Sequence, residues 1–101
     1  MPKIFEYFGI IIMFYSNEHE PIHVHGKYQG FESKADFMIE DGKVINIQIK
    51  EVKGKRPLPT KELKDFKNFV EKFKIEIVQK WVDYFIYHKS ITCVKIEKKV
   101  K

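Results

Sequence analysis

The spacing of apolar residues changes period near the middle of the chain. Between Phe31 and Ile49 they fall at every second position, and between Leu63 and Phe85 at every third or fourth. A period of two is that of a strand with one buried face, and a period near 3.6 that of a helix with one buried stripe. Neither element can bury its apolar side alone, so the helix must lie on the sheet. The expected class is α+β: a mainly antiparallel four-stranded sheet (β-β-β-β), one long or broken helix, then a short C-terminal strand. A length of 101 residues suits a single domain spanning 1–101.

The strands differ in how clearly they read. Residues 3–15 are apolar on both faces, Phe5, Tyr7, Ile11 and Met13 against Ile4, Phe8, Ile10, Ile12 and Phe14, which predicts one central strand. Gly9 within it marks a bulge or a close backbone approach. Residues 22–28 read as a second strand entered through Pro21. In the third, Phe31, Ser33, Ala35, Phe37 and Ile39 point one way and Glu32, Lys34 and Asp36 the other. A two-residue Asp41-Gly42 loop would set Phe37 against Asn46. A three-residue loop, Glu40-Asp41-Gly42, sets Phe37 against Ile45 and Ala35 against Ile47, with Gly42 left-handed and followed by a bulge.

Residues 52–60 are a loop held extended by Pro57 and Pro59, with Thr60 as the expected cap. Leu63, Phe66, Val70, Phe73, Ile77, Trp81 and Phe85 then form one helical stripe, running to about His88, with a break near Phe73–Ile75. Ile75, Val82 and Ile86 make the second half apolar on a further side. A sheet on one side cannot cover both, so these residues predict a protein partner or self-association through the helix. The closing "SITCVKIEK" reads as a strand in which Cys93, the only cysteine, is a small half-buried apolar residue.

The first fifty-two residues carry five lysines against eight acids, −3; the rest carry fourteen Lys and Arg against six acids, +8. A basic half suits acidic proteins or phosphates. With Arg56 the only arginine, base-specific nucleic-acid readout is disfavoured, which leaves RNA binding without sequence preference. The apolar N-terminal run is interrupted by Glu6 and too short to span a bilayer, and no cleavage pattern follows it. No membrane association is expected. The lone cysteine accords with a reducing, cytoplasmic setting.

Three of the four histidines fall in "NEHEPIHVHGKY", residues 17–28. His23 and His25 would share one face of a strand, close enough to hold one ion such as zinc, with His19 as third ligand across the Glu20-Pro21 turn. Glu18, Glu20 or Glu32 could serve as ligand, supporting acceptor or general base. A metal-free alternative is acid–base work on a phosphodiester, Lys27 steadying the anion and Tyr28 placing the base or ribose. The remaining alternative is that the imidazoles bond the backbone where one strand hands over to the next. His88, near the helix end, is the ordinary case of a cation favoured by the helix C-terminus.

The segments "PKIFEYFGIIIMFYSNEHEPIHVHGKY", "ESKADFMIEDGKV", "LPTKELKDFKNFVEK" and "IVQKWVDYF" resemble the bacterial family called domain of unknown function 4160. The usual form of that family has a second proline where this chain has Ile22, and often alanine at Gly26. His19, Pro21, His23 and His25 all match. The resemblance implies a small cytoplasmic protein encoded beside another small protein, as in toxin–antitoxin pairs. It therefore implies a protein partner, with translation or RNA as a target, and supplies no established reaction.

Overall fold

In the computed structural model, which describes residues 2–15 and 22–100, six strands form one sheet and two helices cover one of its faces. The strands are β1 (Lys3–Tyr7), β2 (Ile10–Met13), β3 (His23–Tyr28), β4 (Phe31–Glu40), β5 (Lys43–Glu51) and β6 (Val94–Ile96). The helices are α1 (Thr60–Lys72) and α2 (Lys74–Phe85). Sheet order is β5-β4-β3-β2-β1-β6, antiparallel throughout except that β6 runs parallel to β1. The α+β class stands, but the sheet is mixed and wider than expected.

The extra strand comes from the N-terminal segment, which is a hairpin and not one strand. Phe8 and Gly9 form its two-residue turn with φ of 47° and 85°, the signs of a type I′ turn. The turn changes the parity of the segment. Phe5 pairs with Ile12 and Tyr7 with Ile10, so these four share the face toward the helices. Asn, Asp or Gly normally takes the first turn position, and Phe8 gave no such signal. It is held from outside. Its ring meets Tyr7 edge-on at 5.1 Å, and the Lys99 ammonium lies 4.7 Å from its centroid. Lys99 also donates to Asp65 at 2.8 Å, and this hydrogen bond raises its pKa above the usual lysine value. The Val100 N–H donates to the Tyr7 hydroxyl. The C-terminal segment thus fastens the first turn to α1.

The β4–β5 hairpin has the left-handed Gly42 foreseen for it, with φ of 77°. Its loop is two residues, Asp41-Gly42, and not three. Glu40 pairs with Lys43 and Ile39 with Val44; then the register shifts, and Met38 pairs with Asn46 and Phe37 with Ile47. Ile45 is the extra residue. This bulge resolves the clash of faces that a two-residue loop had implied, because it resets the alternation just beyond the turn. Phe37 and Ala35 therefore share their face with Ile47 and Ile49, and Ile45 is 60% exposed.

The helix breaks at Phe73 (φ −104°, ψ 20°), where a break was expected. Phe73 fills the joint, packing on Phe69 at 4.5 Å and Phe5 at 5.5 Å. Thr60 is the first helical residue and not the cap; Pro59 occupies that position and Thr60 makes no side-chain cap bond. His88 lies beyond α2, exposed, with φ of 54°, where the chain turns and the Lys89 N–H reaches the Asp83 carbonyl. The last strand is only three residues long, and Cys93, before it, is exposed and not half-buried. Among the described residues no helix is long and apolar enough to cross a membrane.

The core lies between the helices and the centre of the sheet: Phe66, Phe69, Val70, Ile77 and Trp81 against Tyr7, Ile10, Ile12, Val24, Ala35 and Phe37. At Gly26 the helix leaves no room for a side chain on the sheet. A Cβ placed there would stand 2.7 Å from two carbons of the buried Phe66 ring. Gly26→Ala should lower stability by about 1–3 kcal/mol through overpacking. In urea denaturation the double variant with Phe66→Leu should lose less than the sum of the single losses. Additive losses would show that the ring does not rest on this residue.

Candidate functional site

With Gly26 beneath α1, alternation along β3 places His23, His25 and Lys27 on the face away from the helices. The register with β4 sets Lys27 opposite Glu32, His25 opposite Lys34 and His23 opposite Asp36. Lys50 and Gln48 of β5 extend the rows beyond Lys34 and Asp36, and Met13 of β2 lies opposite His25. One face of the sheet is thus a lattice of ionisable side chains. Its inner members are not solvated: His23 is 8% exposed, His25 3%, Glu32 1% and Asp36 4%.

Glu32 is the hub of this lattice. Its Oε2 accepts from the Tyr15 hydroxyl at 2.5 Å and lies 2.8 Å from His25 Nδ1. Against a carboxylate, which only accepts, Nδ1 is the donor of this bond, and the contact holds the plane of the His25 ring. Tyr15 also stacks on the His25 ring, centroids 3.9 Å apart and planes 4° apart. The His23 ring meets His25 at 5.4 Å and 63°. Asp36 is held from β5, where Lys50 Nζ lies 2.9 Å from its Oδ2. Among the described residues, Oε1 of Glu32 and Oδ1 of Asp36 are buried with no hydrogen-bond donor, although Lys27 Nζ approaches the former to 3.9 Å.

The structure therefore brings His23 and His25 together on one face, as strand parity requires, and sets Glu32 and Lys27 beside them. It separates Tyr28, whose position in β3 shares the helix-side face with Gly26 and whose ring lies against Gly9. His19, Glu18, Glu20 and Pro21 lie outside the described residues. Among those described, no group of three or more His, Cys, Asp or Glu is placed to hold a metal ion. Tyr15, Asp36 and Lys50 had not been singled out from the sequence. Asp36 was visible as a polar-face residue of β4, and only the cross-strand register reveals that it faces His23. Tyr15 gave no signal, since its role depends on the hairpin parity of the preceding segment.

Chemically, a carboxylate that orients a histidine through Nδ1 is an arrangement used to prepare an imidazole for proton transfer. Buried to this degree, it is also a cross-strand lock. A buried charge is tolerated only with partners, and breaking such a set costs more than the set contributes. Glu32→Ala, which removes the acceptor shared by Tyr15 and His25, should cost about 2–3 kcal/mol in urea denaturation. It should also remove the Nδ1–H signature of His25 in nitrogen NMR. Lys95→Ala, which breaks an ion pair with Glu6 that is exposed on both sides, should cost under about 1 kcal/mol. A Glu32 loss as small as that of Lys95 would contradict the lock.

A family model described as Domain of unknown function (DUF4160) matches residues 9–82. No curated protein matches the chain, and no solved structure does.

Proposed function

We propose that this chain, which belongs to the DUF4160 family, is the interaction component of a small two-protein regulatory pair, of toxin–antitoxin type, and that its partner docks on α2. The observation that carries this reading is the exposure of Ile75 and Ile86, 73% and 55%. Eleven positions separate them, close to three turns, so they lie on one side of the helix roughly 16 Å apart. Val78 and Val82, half-buried against the core, fill the interval. The apolar surface of α2 therefore continues past its contact with the sheet and into solvent.

The rim of this surface indicates the kind of partner. At its N-terminal end a groove runs between α2 and the β4–β5 turn, lined by Val44, Ile75 and Val78 with Lys43 and Lys74 at its edges. An apolar segment flanked by acidic residues would satisfy both the floor and the rim. The excess of positive charge after residue 52 favours the encounter.

The test is co-expression with the protein encoded beside this chain. The two should co-purify, and Ile75→Glu and Ile86→Glu should each abolish the complex while leaving the urea midpoint of the isolated chain unchanged. Separate elution of the wild-type proteins, or survival of the complex in both variants, would overturn the reading.

A second reading, a histidine-based or metal-assisted phosphodiesterase acting on RNA, is favoured by the 2.8 Å contact between His25 Nδ1 and Glu32 Oε2. In it His25 moves the proton, Glu32 holds the ring, and Lys27 steadies the phosphate. His19 and His23 join His25 in the metal-assisted form. Single-stranded RNA should then be cleaved by the wild type and not by His25→Ala, with a chelator separating the two forms. Intact RNA after prolonged incubation with wild type removes this reading and leaves the first untouched.

A further inference from the structure

We propose that two copies of this chain pair along β5, antiparallel, about a two-fold axis at Ile47, to make one continuous sheet of two molecules. This goes beyond the partner surface on α2 and uses a different element, which meets that surface only at Lys43 and Val44.

Among the described residues β5 ends the sheet, with β4 on one side and no strand on the other. At nine residues it is longer than the usual strand. Folded proteins blunt such edges with lysines, prolines, bulges or a covering loop. Here Lys43 and Lys50 stand near the two ends, and the bulge lies at Ile45. The stretch from Val44 to Ile49 holds no charge and no proline. The chain leaving β5 does not return over it: Arg56 pairs instead with Phe31 of β4, and its carbonyl accepts the Glu32 N–H. The edge is open, and its middle is unprotected.

The occupant is indicated by the strand itself, whose sequence is complementary to its own reverse. About Ile47, an antiparallel copy sets Ile47 against Ile47, Asn46 against Gln48 and Ile45 against Ile49. Moving the centre to Asn46 puts Val44 against Gln48, and moving it to Gln48 puts Asn46 against Lys50 and Ile45 against Glu51. Each register sets an apolar residue against a polar one near the bulge, Val44 against Lys50 in the Ile47 register, but only the Ile47 register pairs all five residues from Ile45 to Ile49 like with like. The Ile47 register also keeps like faces together, so the helices of both copies lie on one side of the joined sheet. The most exposed apolar residue of the strand, Ile45, gains a cover in Ile49 of the second copy. Such an isologous contact closes on itself and gives a dimer, not a fibre.

The test uses exposed positions, so that the fold is spared. Asn46→Lys with Gln48→Lys places like charges opposite one another twice across the two-fold. Asn46→Lys with Gln48→Glu places opposite charges there. Sedimentation equilibrium of the untagged wild type should give twice the 12.1 kDa chain mass. The Lys/Lys variant should dissociate at least about tenfold more readily, and the Lys/Glu variant should match or exceed wild type. Ile75→Glu should leave the dimer intact, which separates this contact from the partner surface on α2. A monomeric wild type, an undiminished Lys/Lys dimer, or a dimer lost in Ile75→Glu would each overturn the proposal.

Discussion

The fold turns on the contact between the Phe66 ring and Gly26. The ring is fully buried, worth about 1.5–3 kcal/mol by its burial, and it occupies the space a side chain at position 26 would need. That contact decides which face of β3 belongs to the apolar core. Every neighbouring residue follows by alternation: Val24 joins Gly26 under the helices, and His23, His25 and Lys27 go to the other side. A one-residue slip would place three ionisable side chains in the aromatic core, at a cost no burial there could offset. The polar lattice is therefore a consequence of how α1 seats.

Much of this was legible in the sequence, and most of the parts that were not share a cause; the Thr60 cap and the half-buried Cys93 failed separately. The α+β class, the helical stripe from Leu63 to Phe85, the break at Phe73, the left-handed Gly42 and the same-face pair His23–His25 all follow from spacing and residue type. The errors within the sheet are errors of parity. Phe8 is a poor signal for a type I′ turn because the contacts that hold it come from Tyr7 and from Lys99, ninety-one positions away. At Ile45 the sequence offered two ways to reconcile apolar faces, a longer loop or a bulge after a short one. Periodicity alone cannot choose between them, since each restores the same alternation in the strand beyond. Tyr15 was hidden for the same reason as the first turn, and Asp36 because its partner His23 is set by register and not by spacing.

The face away from the helices accordingly departs from the usual economy of an antiparallel sheet, which has one apolar face and one wet one. Its inner groups are nearly as buried as the core, and they are held by specific partners, Tyr15 and His25 on Glu32 and Lys50 on Asp36. The net stabilisation of such a set is small, because desolvation consumes most of the attraction. Its effect is selective: a register shift that left these carboxylates without donors would be far costlier than the same shift between apolar rows. The lattice fixes β3, β4 and β5 relative to one another at the level of single residues.

That fixed register reaches the rim of the sheet. Because Asp36 and Lys50 tie β4 to β5, and the bulge at Ile45 takes up the mismatch near the turn, residues 46–51 have a defined alternation at the open edge. Lys50 lies on the polar face, with Asn46 and Gln48, while Ile47 and Ile49 line the helix side. An edge so constrained can match only a strand with the same alternation, and its own reverse has it. The surface on α2 obeys a different constraint, the angular width of a helix that is apolar past its contact with the sheet. One surface is specified by backbone register and the other by side-chain stripe, and they meet at Lys43 and Val44, which begin β5 and border the groove on α2.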